Sequence, residues 1–357
     1  MVKIALLTEY TGLGGGESNI VAVAEELARQ GHEVHLIGAG TVLSLVDPHL
    51  VSRFEFKFPQ RSWWWGLPIP RFNSRLQKYL NDVDVVHAYS INTLPYLFWI
   101  NRPIVYTIHG PWEKIRALRG WVVNALVDRI TFVSEDVRRC SYLFGGVSKV
   151  VYLGAKLPAT GPTMATKVDN VLRILCVGRF QPIKGQLFLI QALAEISSSF
   201  AELELTFAGG PSSGDPVDID YMDSCITLAA KVSNKNFRIN FIGHQNELVK
   251  YYNIANLVIV PSFYESFSMV TVESLLMGKV IVAPFVGGPL EILKDLDSAE
   301  LFIPGDKLSL QQAIRNAVSK DVNVAFRLSQ ERGSRFTVER QASDYGEIYA
   351  GLLPRKY

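Results

Sequence analysis

Residues 257–292 read LVIVPSFYESFSMVTVESLLMGKVIVAPFVGGPLEI, and the reading of this stretch decides the fold. An apolar run at 257–261 leads into a polar turn, and a second run at 280–284 follows a helical pattern and ends near Gly287 and Gly288. Strand, loop, helix and strand in that order describe a parallel βαβ unit. Ser266 and Ser268 stand where the helix begins, and residues 270–277 continue it. A helix start exposes free N–H groups and the positive end of the helix dipole, which together bind phosphate. Glu265 and Glu273 lie eight residues apart across this junction. Ser268 to Glu273 spans a rise of roughly 7 Å. That separation would let one carboxylate face a sugar in front of the helix and the other reach a ribose farther along, each accepting charge-assisted bonds from vicinal hydroxyls. Two glutamates alone also have a plainer reading, in which the first complements the dipole and the second is a solvated helix residue.

The same alternation runs outward in both directions. Strands are expected at 3–7, 33–37, 84–88, 104–109, 130–133 and 149–153, with an amphipathic helix at 20–30 stopped by Gly31. Residues 154–170, GAKLPATGPTMATKVDN, lose the apolar period and form the best linker candidate. A second series follows at 173–178, 203–209, 237–242, 257–261, 280–284 and 301–303. The fold expected is α/β, with two Rossmann-like, doubly wound parallel-sheet domains at 1–155 and 171–337 and an interdomain cleft. The helical segment 338–357 is expected to cross back to the first domain.

Composition narrows the class. A chain of 357 residues makes two domains the default, and 48% hydrophobic with 20% charged residues describes an ordinary globular protein. A net charge of +2 gives no reason to expect nucleic acid as a partner. Cys140, Cys176 and Cys225 are odd in number and form no CxxC pair, which points to a reducing, cytoplasmic setting without a structural metal site. The apolar run at 4–7 is too short for a secretory core, and no run approaches the ~18 residues of a membrane span.

Other motifs sit just after strands, where ligands of such sheets bind. In VGRFQPIKGQ, Arg179 and Lys184 lie five residues apart and can converge on a pyrophosphate, although a solvated basic loop fits the motif alone. Gly14-Gly15-Gly16-Glu17 follows the first strand and allows close backbone approach to a ligand. It is not a dinucleotide fingerprint, because Glu17 takes the last glycine position and no acid ends the second strand. His109 ends the strand IVYTIH. Gly243 and His244 form a turn after a strand, either as a plain turn or as a wall against a base. Trp63-Trp64-Trp65 beside Arg61, and Trp112 beside Lys114 and Arg116, suit acceptor or membrane contact or else a packed loop.

The charged set resembles the family 4 glycosyltransferases, whose architecture is GT-B. That family reads E-G-F-G-x-x-x-x-E, then G-x-P-V-V-A and G-G-x-x-E. Here Ser266 and Ser268 replace the two glycines and Val280 replaces the proline. VGRFQPIKGQ is similar to the family's G-R-x-x-x-x-K-G, and His109 takes its T-x-H position. The resemblance covers most of the chain and is most specific over 171–291.

The resemblance implies a retaining, metal-independent hexosyltransferase-like enzyme without a cofactor. Its donor would be a nucleotide-diphosphate-sugar, a UDP- or GDP-sugar above others. The acceptor would be a saccharide, a lipid-linked hydroxyl or a small molecule, as in polysaccharide, lipopolysaccharide or glycolipid synthesis. It also implies that Arg179, Lys184, Glu265 and His109 act catalytically. Gly15, Gly16, Gly243, His244, Ser266, Phe267, Ser268, Met269, Val270 and Glu273 would hold the donor. The alternatives are a nucleotide-sugar epimerase or hydrolase of the same fold, a nicotinamide-dependent oxidoreductase and a non-catalytic sugar-binding relative.

Overall fold

Apolar runs buried on both faces build two parallel sheets. The structure, a computed structural model, describes residues 1–11, 14–59, 63–64, 67–113, 117–141, 148–156, 161–163, 170–212, 214–245 and 247–354, with backbone only at 63, 64, 67 and 117. The chain forms two compact units, Met1–Lys156 with Phe336–Tyr357, and Leu157–Arg335.

In the first unit the sheet has seven strands in the order β3-β2-β1-β6-β7-β8-β9. They are β1 (Lys3–Leu7), β2 (Glu33–Gly38), β3 (Ser52–Glu55), β6 (Val85–Ala88), β7 (Ile104–Ile108), β8 (Arg129–Phe132) and β9 (Ser148–Val150). All these pairings are parallel. A small antiparallel hairpin joins β4 (Trp63–Trp64) to β5 (Leu67–Pro68). The central strands β6 and β7 are buried at every residue, as a sheet covered on both faces requires.

Helix Gly15–Arg29 begins five residues earlier than its apolar period suggests, so Gly15 and Gly16 open a helix rather than a loop. Strand β9 is shorter than the expected 149–153. Val151 still donates to the Phe132 carbonyl, but Ala155 bridges Thr337 instead of extending the ladder. Helix Val338–Leu352 belongs to this unit and packs on helix Gly15–Arg29. Its buried Tyr349 hydroxyl lies 2.6 Å from His87 Nδ1, while His87 Nε2 meets Thr107 Oγ1 at 2.7 Å. Burial holds the His87 imidazole well below its usual range, so this network is neutral.

The second unit has six parallel strands in the order β12-β11-β10-β13-β14-β15. They are β10 (Val171–Val177), β11 (Glu202–Ala208), β12 (Phe237–Phe241), β13 (Leu257–Ile259), β14 (Val280–Pro284) and β15 (Ala299–Phe302). A core of aromatic and aliphatic side chains, including Phe180, Phe207 and Phe302, lies under one face. The strand order reverses between β10 and β13, and a crevice outside the carboxyl ends of strands at such a reversal is where ligands bind. Of the expected linker 154–170, residues 154–156, 161–163 and 170 are described, and the Thr163 N–H donates to Asn253 Oδ1 at 3.1 Å.

Candidate functional site

Two loops leave the β10 and β13 strand ends and are pressed together. Gly185 has φ +71, and a Cβ there would stand 2.1 Å from the Pro261 carbonyl oxygen. Only glycine permits both the left-handed backbone and this approach. The contact sets Lys184 beside the segment that follows β13. Lys184 Nζ lies 2.8 Å from Glu265 Oε1, which also accepts from Ser262 Oγ at 2.7 Å. The carboxylate is nearly buried, with a side-chain exposure of 11%.

The Glu265 carbonyl is fixed separately by the Gly288 N–H at 3.0 Å. Neither Gly287 nor Gly288 could carry a Cβ, which would meet the Glu265 or Phe267 carbonyl oxygen at 2.0 or 2.2 Å. Arg179 is exposed at the β10 end, and its guanidinium makes no ion pair among the described residues. Its carbonyl accepts from Gln186 Nε2 at 2.8 Å, which steadies the backbone of the loop.

Helix Met269–Leu276 starts at this point. Ser268 precedes it with φ +83 and ψ 85, and its side chain caps no N–H. Its hydroxyl instead accepts from Thr271 Oγ1 at 2.9 Å. The first N–H groups of the helix are thus left without a side-chain partner from the N-cap, as an anion site requires. Phe267 is buried, so its side chain anchors the turn and only its backbone borders the site. Met269 and Val270 are half-buried, and Val270 packs against the cluster containing Tyr252 and Met277. Ser266 is half-buried in the same turn.

Glu273 lies one turn along the helix. Its Oε2 accepts from the Tyr252 hydroxyl at 3.0 Å. Burial pushes this carboxyl up to about 7, and the tyrosine bond holds it lower than burial alone would. Glu273 is therefore half-buried and bonded to Tyr252 rather than free in solvent. Gly243 has φ +67, and its carbonyl accepts from Gly209 N–H at 2.8 Å, bringing the turn after β12 against the turn after β11. His244 beside it is exposed.

The first unit holds a different cluster. His109 follows β7, its ring 5.6 Å from that of Tyr89. Its Nε2 is buried with no hydrogen-bond partner, and burial pushes the imidazole down to about 4. The His109 N–H donates to Glu113 Oε1 at 2.7 Å, and the Tyr106 hydroxyl donates to the other carboxylate oxygen. Burial pushes Glu113 up to about 7 despite those bonds. Glu9, after β1, is also raised by burial, with Asn92 Nδ2 donating to it at 2.7 Å. Gly14, in extended backbone, caps the helix opened by Gly15 and Gly16.

Sequence reasoning missed Ser262, Tyr252 and Glu113. Ser262 stands three residues before Glu265, within reach of a turn, whereas Tyr252 meets Glu273 from 21 residues away with no local signal. Of the tryptophan segments, Arg61, Ser62, Trp65, Lys114, Ile115 and Arg116 lie outside the described residues. Among the described residues no group of three or more His, Cys, Asp or Glu is arranged to hold a metal.

Comparison with known proteins places this geometry. The family profile described as Glycosyl transferases group 1 matches residues 165–332, and that of Glycosyltransferase Family 4 matches 13–154. A D-inositol 3-phosphate glycosyltransferase of Nocardia farcinica is 35% identical, over 82% of this chain and 76% of that protein. The chain belongs to the group 1 glycosyltransferases.

Another relative of this group, the D-inositol 3-phosphate glycosyltransferase of Mycolicibacterium smegmatis, is 28% identical over 66% of this chain and 54% of its own length. The chain thus spans about half the length of several curated glycosyltransferases it matches. Anabaena HepE, crystallised in complex with UDP and glucose, superposes with a TM-score of 0.81 at 21% identity, covering 99% of this chain and 100% of that one. A glycosyltransferase from Rickettsia africae superposes equally well, at 19% identity and 99% coverage of both chains. These likenesses bear out the GT-B fold read from the sequence.

Proposed function

We propose that the protein transfers a sugar from a nucleoside-diphosphate donor to an acceptor hydroxyl, with retention of configuration and without a metal. One observation carries the reading: at the reversal of the second sheet, Lys184 and Glu265 pair at 2.8 Å beside the open Arg179 and the start of helix Met269–Leu276. An ammonium has three donors. Lys184 can therefore hold Glu265 with one and give the others to phosphate.

In this scheme the diphosphate lies across Arg179, Lys184 and the helix N–H groups, which meet the charge that grows on the leaving oxygen. Glu265 accepts from the donor sugar hydroxyls and Glu273 from the ribose. Gly243 and His244 border the base. The acceptor oxygen bonds to the anomeric carbon as the bond from that carbon to the diphosphate breaks. The acceptor proton passes to the departing phosphate oxygen on the same face. The cations take the part a metal plays elsewhere.

The three cysteines are free, which fits the reducing cytoplasm. Among the described residues no helix is long and apolar enough to cross a membrane, and the membrane contact we infer is peripheral.

Thermal shift with UDP-, GDP- and ADP-sugars tests the reading. One donor at a hundredfold excess over its Kd should add about 2.7 kcal/mol of stability. Glu273→Ala should abolish that shift. A wild-type chain that melts at the same temperature with every nucleotide sugar would end the proposal.

A further inference from the structure

Helix Ala117–Leu126 has the sequence ALRGWVVNAL and turns an apolar face outward. Leu118, Trp121 and Ala125 are spaced three and four residues apart, so they share one face, and all three are exposed. Trp121 is 70% exposed. Val122 and Val123 are buried on the inner side. A helix that is apolar on both sides is ordinarily covered on both.

The apolar surface continues beyond this helix. Strand β5 of the tryptophan hairpin packs against it. Ala125 lines one cavity with Phe98 and Arg102. The Phe98 ring is 6.2 Å from Trp99, which is 5.8 Å from Phe72. Trp112 is exposed just before the helix. Every exposed Phe and Trp among the described side chains of the first unit falls within residues 72–121.

Charge selects what covers it. Residues 56–128, which hold the whole face, carry nine Lys or Arg against Asp82, Asp84, Glu113 and Asp128, a net charge of +5. The whole chain is only +2, so the remainder is net negative. A second copy docked here would set positive charge against positive charge. Aromatic side chains amid cations suit a bilayer of anionic lipid, where Trp settles at the headgroup level and each cation contributes about 1 kcal/mol.

We propose that the face made by Leu118 and Trp121, with Phe98, Trp99 and Phe72 beside it, docks on an anionic lipid surface. This rests on the peripheral contact in the proposed function and gives it a place. Flotation of the full chain with phosphatidylcholine vesicles, with and without about 30 mol% phosphatidylglycerol, tests it. Binding should require the anionic lipid and weaken with salt.

Trp121→Ser should reduce the bound fraction about tenfold, as loss of one buried aromatic predicts. It should leave the melting temperature and the nucleotide-sugar thermal shift unchanged, which separates this face from the donor reading. No flotation of the wild type with anionic vesicles, or equal flotation of the variant, overturns the proposal. So does a wild-type dimer in light scattering that Trp121→Ser makes monomeric.

Discussion

The carboxyl edges of the two sheets treat charge in opposite ways. At the second unit's edge the charges are kept and paired: Arg179 is open, and the half-buried Lys184 holds the nearly buried Glu265 at 2.8 Å. At the first unit's edge burial weakens them. His109 is pushed down to about 4 and Glu113 up to about 7, and the neighbouring hydroxyls of Tyr106 and Thr107 are buried. A diphosphate needs the first kind of edge, because it brings the compensating charge itself. A neutral hydroxyl-bearing molecule is better served by the second, where uncharged donors and acceptors are fixed in place.

The sharpest way to break the comparison is to remove one group from each edge. Arg179→Ala should lower kcat by about a hundred- to a thousandfold, the usual cost of losing one preorganised donor to a developing anion. His109 is neutral near pH 7 and supplies position rather than charge. Its alanine variant should lose only about tenfold, less than the hundredfold or more that a general acid or base contributes. Steady-state kinetics with a saturating donor would decide it. A larger loss at His109 than at Arg179 would reverse the assignment of charge to the second unit.

Sequence reading succeeded where a residue's neighbours were close along the chain. Most strands of both sheets and the helix start after Ser268 follow from apolar runs and short spacings. Strand β3 escaped because Phe54 is its only buried residue, so no alternation shows. Helix Gly15–Arg29 was read five residues short, since glycines in its first turn look like loop when the fold does not yet demand a helix there.

The state of Glu273 was illegible for another reason. Its partner Tyr252 comes from the helix after β12, and only the packing of two helices makes the carboxyl buried rather than solvated. Glu113 was missed although its partners, the His109 backbone N–H and the Tyr106 hydroxyl, are four and seven residues back, because no apolar period or motif marks that turn.

Glu273 sharpens the comparison through pH. In the proposed scheme ribose hydroxyls donate to the ionised carboxylate, so donor binding would favour the charged form and release a proton from a group that burial raises to about 7. Affinity should therefore rise about tenfold from one unit below that value to well above it, since one pH unit is worth about 1.4 kcal/mol for a fully linked proton. The apo protein responds with the opposite sign. A carboxyl raised by folding adds stability below its ordinary value near 4.5 and loses it as pH climbs through about 7. Titrating donor affinity in the wild type and in Glu273→Gln separates the two, because the amide should flatten the binding profile. A wild-type profile already flat across that range would mean that Glu273 does not meet the donor.

The smallest effect lies at Ser268, the one residue of the turn whose backbone conflicts with its side chain. Its φ of +83 is left-handed, where a Cβ costs about 1–2 kcal/mol that glycine avoids. Against that stands its bond from Thr271 Oγ1, a hydroxyl pair worth about 1 kcal/mol net. Ser268→Gly relieves the first and loses the second, so its own stability should change by less than about 1 kcal/mol. Ser268→Ala keeps the strain and also loses the bond. The informative quantity is the gap between the two variants: glycine should be the more stable by about 1–2 kcal/mol, read as several degrees of melting temperature. Equal melting of the glycine and alanine variants would mean that the turn relaxes without cost. The strained serine would then hold nothing in place for the donor.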